Sequence, residues 1–188
     1  LSSAASDVYK RQIRFFGHFY SGKIKFLVND LLMHIKPLAP VFLPINKYGS
    51  QAKESSLQIN NAYESDEQML IFPAGLCSRL QHGKIKDLEW KKTFIAKAVQ
   101  SQRDIIPIYF EGRNSTFFYR FAQIRKCIGL KFNIELIYLP DEMFNSKNKT
   151  FDIYIGKPIP WQTFDKSKSL QEWAQIVKEK VYQIKKNQ

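Results

Sequence analysis

The sequence predicts an α/β domain with a largely parallel sheet flanked by helices. Short apolar or alternating runs recur along the chain, separated by stretches of roughly ten to fifteen residues with helical periodicity. The runs end at Gly, Pro or a basic residue, as strands do when they empty into loops at one edge of such a sheet. With 188 residues and 44% apolar content the chain can bury a core, and eight Gly with eight Pro leave no linker or collagen-like tract.

Lys23–Val28 (KIKFLV) alternates and is expected to be the first strand, followed by a short apolar helical piece at Asp30–Ile35. Val41–Ile45 (VFLPI) is the second strand; Pro44 has no N–H for a neighbouring strand, which places its end at an edge or exit. Gln51–Tyr63 is polar but carries Leu57, Ile59 and Tyr63, a weakly amphipathic helix. Gln68–Phe72 (QMLIF) reads as a buried strand running into a turn at Pro73 and Gly75. Asp87 is placed to N-cap a helix with Trp90, Phe94, Ile95 and Ala98 on one face. Asp104–Phe110 (DIIPIYF) is the next strand, then a helix from about Asn114 to Ile128, then strands at Ile134–Leu139 and Asp152–Ile155. Ser169 and Glu172 have capping-box spacing and open a last helix striped by Leu170, Trp173, Val177, Val181 and Ile184.

Lys and Arg number 29 against 17 Asp and Glu, a net charge of +12. Such a balance points to an anionic partner: nucleic acid, an anionic membrane surface or a phosphorylated substrate. Cys77 and Cys127 cannot build a disulfide framework, which favours a reducing compartment, and three scattered His with two distant Cys make no metal motif. No run approaches the ~20 apolar residues that cross a bilayer. Residues 2–12 (SSAASDVYKRQ) match the in-frame translation of a transposase adaptor used in sequencing libraries. Residues 1–12, with Lys10, Arg11 and Asp7, are therefore set aside as an artefact, and 13–188 are taken as a single domain. The chain opens with Leu rather than Met, so the expectation is that an upstream part of the domain has been lost near Ile13.

Three strand ends deliver a Gly together with a cation: Phe72-Pro73-Ala74-Gly75-Leu76-Cys77-Ser78-Arg79, Gly112-Arg113-Asn114-Ser115, and Asn46-Lys47-Tyr48-Gly49. Gly lets a ligand approach the backbone, a guanidinium grips phosphate or carboxylate bidentately, and the free N–H groups of an opening helix favour an anion. Pattern alone leaves two readings equally open: a pocket for an anionic small molecule, or three surface turns with solvated cations.

The run FPAGLCSR resembles the FPEGTRS-type motif of the lysophospholipid acyltransferases, the family that includes 1-acylglycerol-3-phosphate acyltransferase. Ile106-Pro107-Ile108 is similar to that family's later proline-containing strand motif, and Val41–Gly49 lies where the family carries a strand ending in a basic acceptor contact. The resemblance runs from about Lys23 to Trp161. It is closest to the branch associated with Bacteroidetes aminolipid synthesis, where FPAGLCSR, DLEWKKTF, GRNS and IGKPIPW recur together. It implies a three-layer acyltransferase-like domain that moves an acyl chain from acyl carrier protein or coenzyme A to a lysolipid hydroxyl, with no bound cofactor. It also implies peripheral association with the cytoplasmic face of the inner membrane. By position, Pro73 and Gly75 shape the turn, Ser78 and Arg79 meet the anionic acceptor head, Lys47 is a second anion contact and Pro107 shapes the pocket wall. Arg113 has no counterpart in the general motifs and is proposed as an anion contact from local chemistry alone.

Two departures matter. The family's Glu is Ala74 here, which implies an acceptor other than glycerol phosphate. The HX4D pair that supplies the general base is not spelled before the first strand, since His18 is followed five positions later by Lys23. The resemblance therefore implies no turnover by these 188 residues. His82 and Asp87 spell HX4D, but after the FPAG turn rather than before it, and are read as a coincidence. Cys77 and His34 are read as packed or surface residues.

Phe117, Phe118, Phe121 and Ile124 are interleaved with Arg113, Arg120, Arg125, Lys126 and Lys131, a mixture suited to an anionic membrane surface. The competing reading packs the aromatics in the core, and it is preferred for Phe117 and Phe121. A nucleic-acid partner is not expected: the cations are spread over many elements, and there is no RNP-type, zinc or helix-turn-helix pattern. A non-catalytic lipid- or carrier-binding relative is the remaining alternative.

Overall fold

The computed structural model describes residues 21–28, 36–45, 51–76, 78–81, 83–112, 114–130, 150 and 152–185. The expected helical piece at Asp30–Ile35 and strand at Ile134–Leu139 lie outside them. Backbone contacts gather the chain into two units, Leu1–Ile71 with Ser115–Lys147, and Phe72–Asn114 with Asn148–Gln188.

In the first unit β1 (Ile24–Val28) is central, and its alternation translates directly into burial. Ile24, Phe26 and Val28 are buried, whereas Lys25 and Leu27 are half-exposed. Lys25 reaches outward to donate to the Pro40 carbonyl (2.9 Å) and to pair with Glu67 (3.4 Å). β2 (Phe42–Pro44) and β3 (Gln68–Leu70) flank β1, both parallel, with Phe26 opposite Phe42 and Leu70. Among the described residues Pro44 thus sits on an edge strand, in keeping with its missing N–H. Val41, expected in that strand, instead closes a 3-10 segment, Lys36–Val41, that leads into it. The parallel order needs a crossover, and α1 (Gln51–Glu64) supplies it between β2 and β3. Its buried positions are Ser55, Ala62 and Tyr63, with Ile59 half-buried, so Leu57 falls on the opposite side and is exposed. α2 (Thr116–Cys127) begins where the Ser115 hydroxyl accepts from the Phe118 N–H (3.2 Å). Its inward residues are Phe118, Tyr119 and Ala122; Phe117, expected to pack inward, is 55% exposed.

In the second unit β4 (Arg79–Gln81) and β5 (Lys84–Lys86) form an antiparallel hairpin, with Gly83 at φ +74° in its turn. Next comes α3 (Thr93–Gln100), whose Phe94, Ile95 and Ala98 are buried. β6 (Ile108–Glu111) pairs antiparallel with β7 (Asp152–Ile155), and the pairing extends to a bridge between Ile105 and Ile159. The last helix, α4 (Leu170–Ile184), has the predicted capping box: the Ser169 hydroxyl accepts from the Glu172 N–H, and the Glu172 carboxylate accepts from the Ser169 N–H. Ala174, Val177 and Val181 bury its inner stripe against α3 and β6.

The α/β class with a parallel sheet stands. Among the described residues, however, parallel pairing belongs to β2-β1-β3, while β4-β5 and β6-β7 are antiparallel. Asp87 is not a helix N-cap. α3 starts later, after Lys92, whose backbone is already helical and offers no side-chain cap.

Candidate functional site

The turn after β3 is built as its sequence requires. Gly75 adopts φ +68°, a conformation that a Cβ strains, and its N–H closes the turn onto the Phe72 carbonyl (3.0 Å). The Pro73 carbonyl accepts from the Lys91 N–H (3.1 Å), which pins the turn to the segment before α3. The Lys91 ammonium then stands over Gly75, 3.3 Å from where a Cβ would be. Lys91 was missed by sequence reasoning. Only the pairing of its N–H with Pro73 brings its charge to the turn, and the DLEWKK run that holds it was the single available signal.

Arg79 follows at the start of β4, half-buried, opposite Lys86 in register. Its Nη1 donates to the Ser78 carbonyl at 3.3 Å. The Ser78 hydroxyl donates to Asp87 Oδ1 (2.6 Å), and the Trp90 indole N–H donates to Oδ2 (3.1 Å). Asp87 is also held through its backbone: its N–H donates to the Tyr182 hydroxyl (3.0 Å), and Lys178 donates to the Asp87 and Leu88 carbonyls (2.9 and 2.8 Å). Gln171 and Gln175 both donate to the Trp90 carbonyl (2.9 Å each). Residues 87–90 are thereby strapped along α4, and Ser78 is tied to that strap. Burial pushes the Tyr182 hydroxyl up to about 12, so it stays protonated through the neutral range.

Pro107 is buried elsewhere in the same unit. Together with Gly156, Lys157, Pro158, Thr163 and Lys180 it lines an open hollow of about 300 Å³ that includes none of the FPAGLCSR residues. The Gly156 N–H donates to the Pro107 carbonyl (2.8 Å), and a Cβ on Gly156 would lie 2.9 Å from both Pro107 Cγ and Ile184 Cδ1. The structure therefore groups Pro73, Gly75, Ser78 and Arg79 in one continuous stretch and seats Pro107 in a separate hollow. Lys47, Arg113, Cys77 and His82 lie outside the described residues. Among the described residues no cluster of three or more His, Cys, Asp or Glu could hold a metal, and no helix is long and apolar enough to cross a membrane.

An exposed Gly in a tight turn, with a lysine ammonium beside it and a half-buried Ser-Arg pair following, is an arrangement chemically able to meet an anion. The sequence profile of the family described as Acyltransferase matches residues 12–188. The chain belongs to this acyltransferase family. It is 56% identical over 168 residues to a lyso-glycine lipid O-acyltransferase of Bacteroides thetaiotaomicron, covering 89% of this chain and 62% of that protein. A lyso-glycine lipid O-acyltransferase of Phocaeicola vulgatus is 54% identical over 168 residues, covering 89% and 60%. The chain thus spans about three-fifths of the length of these curated relatives. No solved structure matches it.

Proposed function

We propose that the protein is an O-acyltransferase that moves a fatty acyl chain from a thioester donor, acyl carrier protein or coenzyme A, onto the hydroxyl of a lysolipid, and that this acceptor is a monoacylated glycine. The observation that carries the reading is the 54–56% identity to two lyso-glycine lipid O-acyltransferases. Ala74, where the family carries Glu, is in keeping with an acceptor other than glycerol phosphate.

Glycine itself has no hydroxyl, so an O-acyl acceptor built on it must carry the hydroxyl on its acyl chain. The hydroxyl oxygen attacks the thioester carbonyl, the C–O bond forms, the C–S bond breaks, and the hydroxyl proton passes through a base to the departing thiolate. Arg79 and Lys91 hold the glycine carboxylate, Arg79 by a charge-assisted hydrogen bond. Pro73 and Gly75 shape the turn that admits it, and Ser78 fixes the position of Arg79 through its bond to Asp87. Lys47 and Arg113 are further anion contacts, and Pro107 forms part of the acyl-chain wall. His82 and Asp87 do not act as the base, in keeping with an Asp87 carboxylate whose two oxygens already accept from Ser78 and Trp90. Both donors are cytoplasmic thioesters and the acceptor is a lipid, which places the work at the cytoplasmic face of the inner membrane.

The test is product analysis on the protein made from its complete gene, supplied with acyl carrier protein or coenzyme A thioester and either an N-(hydroxyacyl)glycine or lysophosphatidate. The expected product is an ester of the glycine lipid. No ester on either acceptor overturns the activity, and preferential acylation of lysophosphatidate overturns the acceptor.

A further inference from the structure

Ile155–Trp161 is the IGKPIPW run, and holding the acceptor gives it no task. The fold nevertheless tethers its backbone at three points. The Gly156 N–H donates to the Pro107 carbonyl (2.8 Å), Ile159 exchanges two bonds with Ile105 (2.8 and 3.0 Å), and the Trp161 N–H donates to Asp104 (3.1 Å). Ile159 is buried, yet Lys157, Pro158 and Pro160 between the tethers are exposed. A segment held this firmly while presenting proline rings to water is a preformed wall.

That wall lines the hollow of about 300 Å³ together with Pro107, Thr163, Lys180 and Ile184. The volume falls at the small end of small-molecule sites, which span roughly 300–1,000 Å³. Its chemistry divides in two. The prolines and Ile184 give apolar surface, while Lys157, Lys180 and Thr163 supply two ammonium groups and a hydroxyl. All three polar side chains are exposed, and no other described residue engages their ends. No Asp or Glu is among the lining residues; Glu179 precedes Lys180 but points about 100° away around α4. Two ammonium groups that share a hollow without a carboxylate repel one another, and a bound anion relieves that repulsion.

The matching ligand joins an anion to a short apolar stem. Coenzyme A and acyl carrier protein have such a group in common: the 4′-phosphopantetheine arm, with its phosphate ester next to a dimethyl-bearing carbon. We propose that this hollow holds the 4′-phosphopantetheine arm of the acyl donor, with its phosphate between Lys157 and Lys180, the Thr163 hydroxyl donating to it, and its dimethyl stem against Pro158 and Pro160. The proposal rests on the thioester-donor reading and deepens it. Pro107 borders the same hollow, so the arm and the acyl chain it carries follow one wall.

The protein made from its complete gene is to be titrated calorimetrically with 4′-phosphopantetheine, pantetheine, coenzyme A, and holo and apo carrier protein. 4′-Phosphopantetheine is expected to bind saturably, and pantetheine, which lacks the phosphate, at least tenfold more weakly. Lys157→Gln with Lys180→Gln should weaken 4′-phosphopantetheine about tenfold and pantetheine little, and each single substitution about threefold. Whichever of coenzyme A and holo carrier protein binds more tightly identifies the source of the arm, and it should lose the same factor in the double variant. Both lysines are exposed, so melting curves should not move; the single substitutions serve if the double variant fails to fold. No saturable binding of 4′-phosphopantetheine, equal affinity for pantetheine, or unchanged binding by the folded variants would each overturn the proposal. Apo carrier protein binding as tightly as holo, with both lost in the lysine variants, would make the lysines a protein-docking surface and overturn it too. Ester formation with an unaltered donor KM in the double variant removes the arm site and leaves the proposed function. Lysine-dependent binding of the arm without ester on either acceptor does the reverse.

Discussion

The Asp87 carboxylate accepts from Ser78 and from Trp90, while its backbone is bonded to Tyr182 and Lys178 of α4. Removing the carboxylate strands a hydroxyl and an indole N–H that are partly out of water. Asp87→Ala is therefore expected to cost about 1–3 kcal/mol in urea unfolding, and Asp87→Asn less, because one acceptor oxygen survives. The same change frees Ser78 and lets Arg79 wander, so the acceptor KM should rise in the alanine variant beyond what stability alone explains. Asp87 also shows where sequence reasoning stops. Its type and place ahead of a helix suggested a cap by a local rule, but its true backbone partners lie more than ninety positions away on α4. Arg79 stands in a contiguous motif that the sequence displays, whereas only folding brings Lys91 to Gly75.

At the level of elements, features set by neighbours in sequence were readable and those set by distant pairing were not. The alternation of β1 and the Ser169–Glu172 capping box are local, and both appear as read. The β4-β5 hairpin went unread: each strand is three residues long, and Leu80 and Ile85 are the apolar positions that pair between them. The capping box makes a pH prediction. The Ser169 hydroxyl, and then its N–H, hold the Glu172 carboxyl below the ordinary glutamate range. A carboxyl lowered by folding contributes stability above its ordinary pKa and loses it as pH falls through the lowered value. Glu172→Gln should therefore be less stable than the unaltered chain at neutral pH, with the difference closing in acid, as followed by thermal melts. Ser169→Ala should cost about 1 kcal/mol at neutral pH. Beneath β6 and β7, Gly156→Ala would drive a methyl against Pro107 and Ile184, at an expected cost of about 1–3 kcal/mol in the same assay.

For the whole molecule, the charge of +12 admitted nucleic acid, membrane or phosphorylated substrate alike. The proposed function gives part of that charge specific work. Lys91 stands at a glycine turn that Arg79 follows, and the family is one of acyltransferases. The most direct test of the account is a cycle between substrate and protein on the protein from its complete gene. It compares kcat/KM for an N-(hydroxyacyl)glycine and for its methyl ester, in the unaltered enzyme and in Arg79→Ala. If Arg79 grips the glycine carboxylate, esterification lowers kcat/KM about tenfold or more in the unaltered enzyme and has little further effect in the variant. Equal acylation of acid and ester by the unaltered enzyme, or undiminished discrimination by Arg79→Ala, would contradict it.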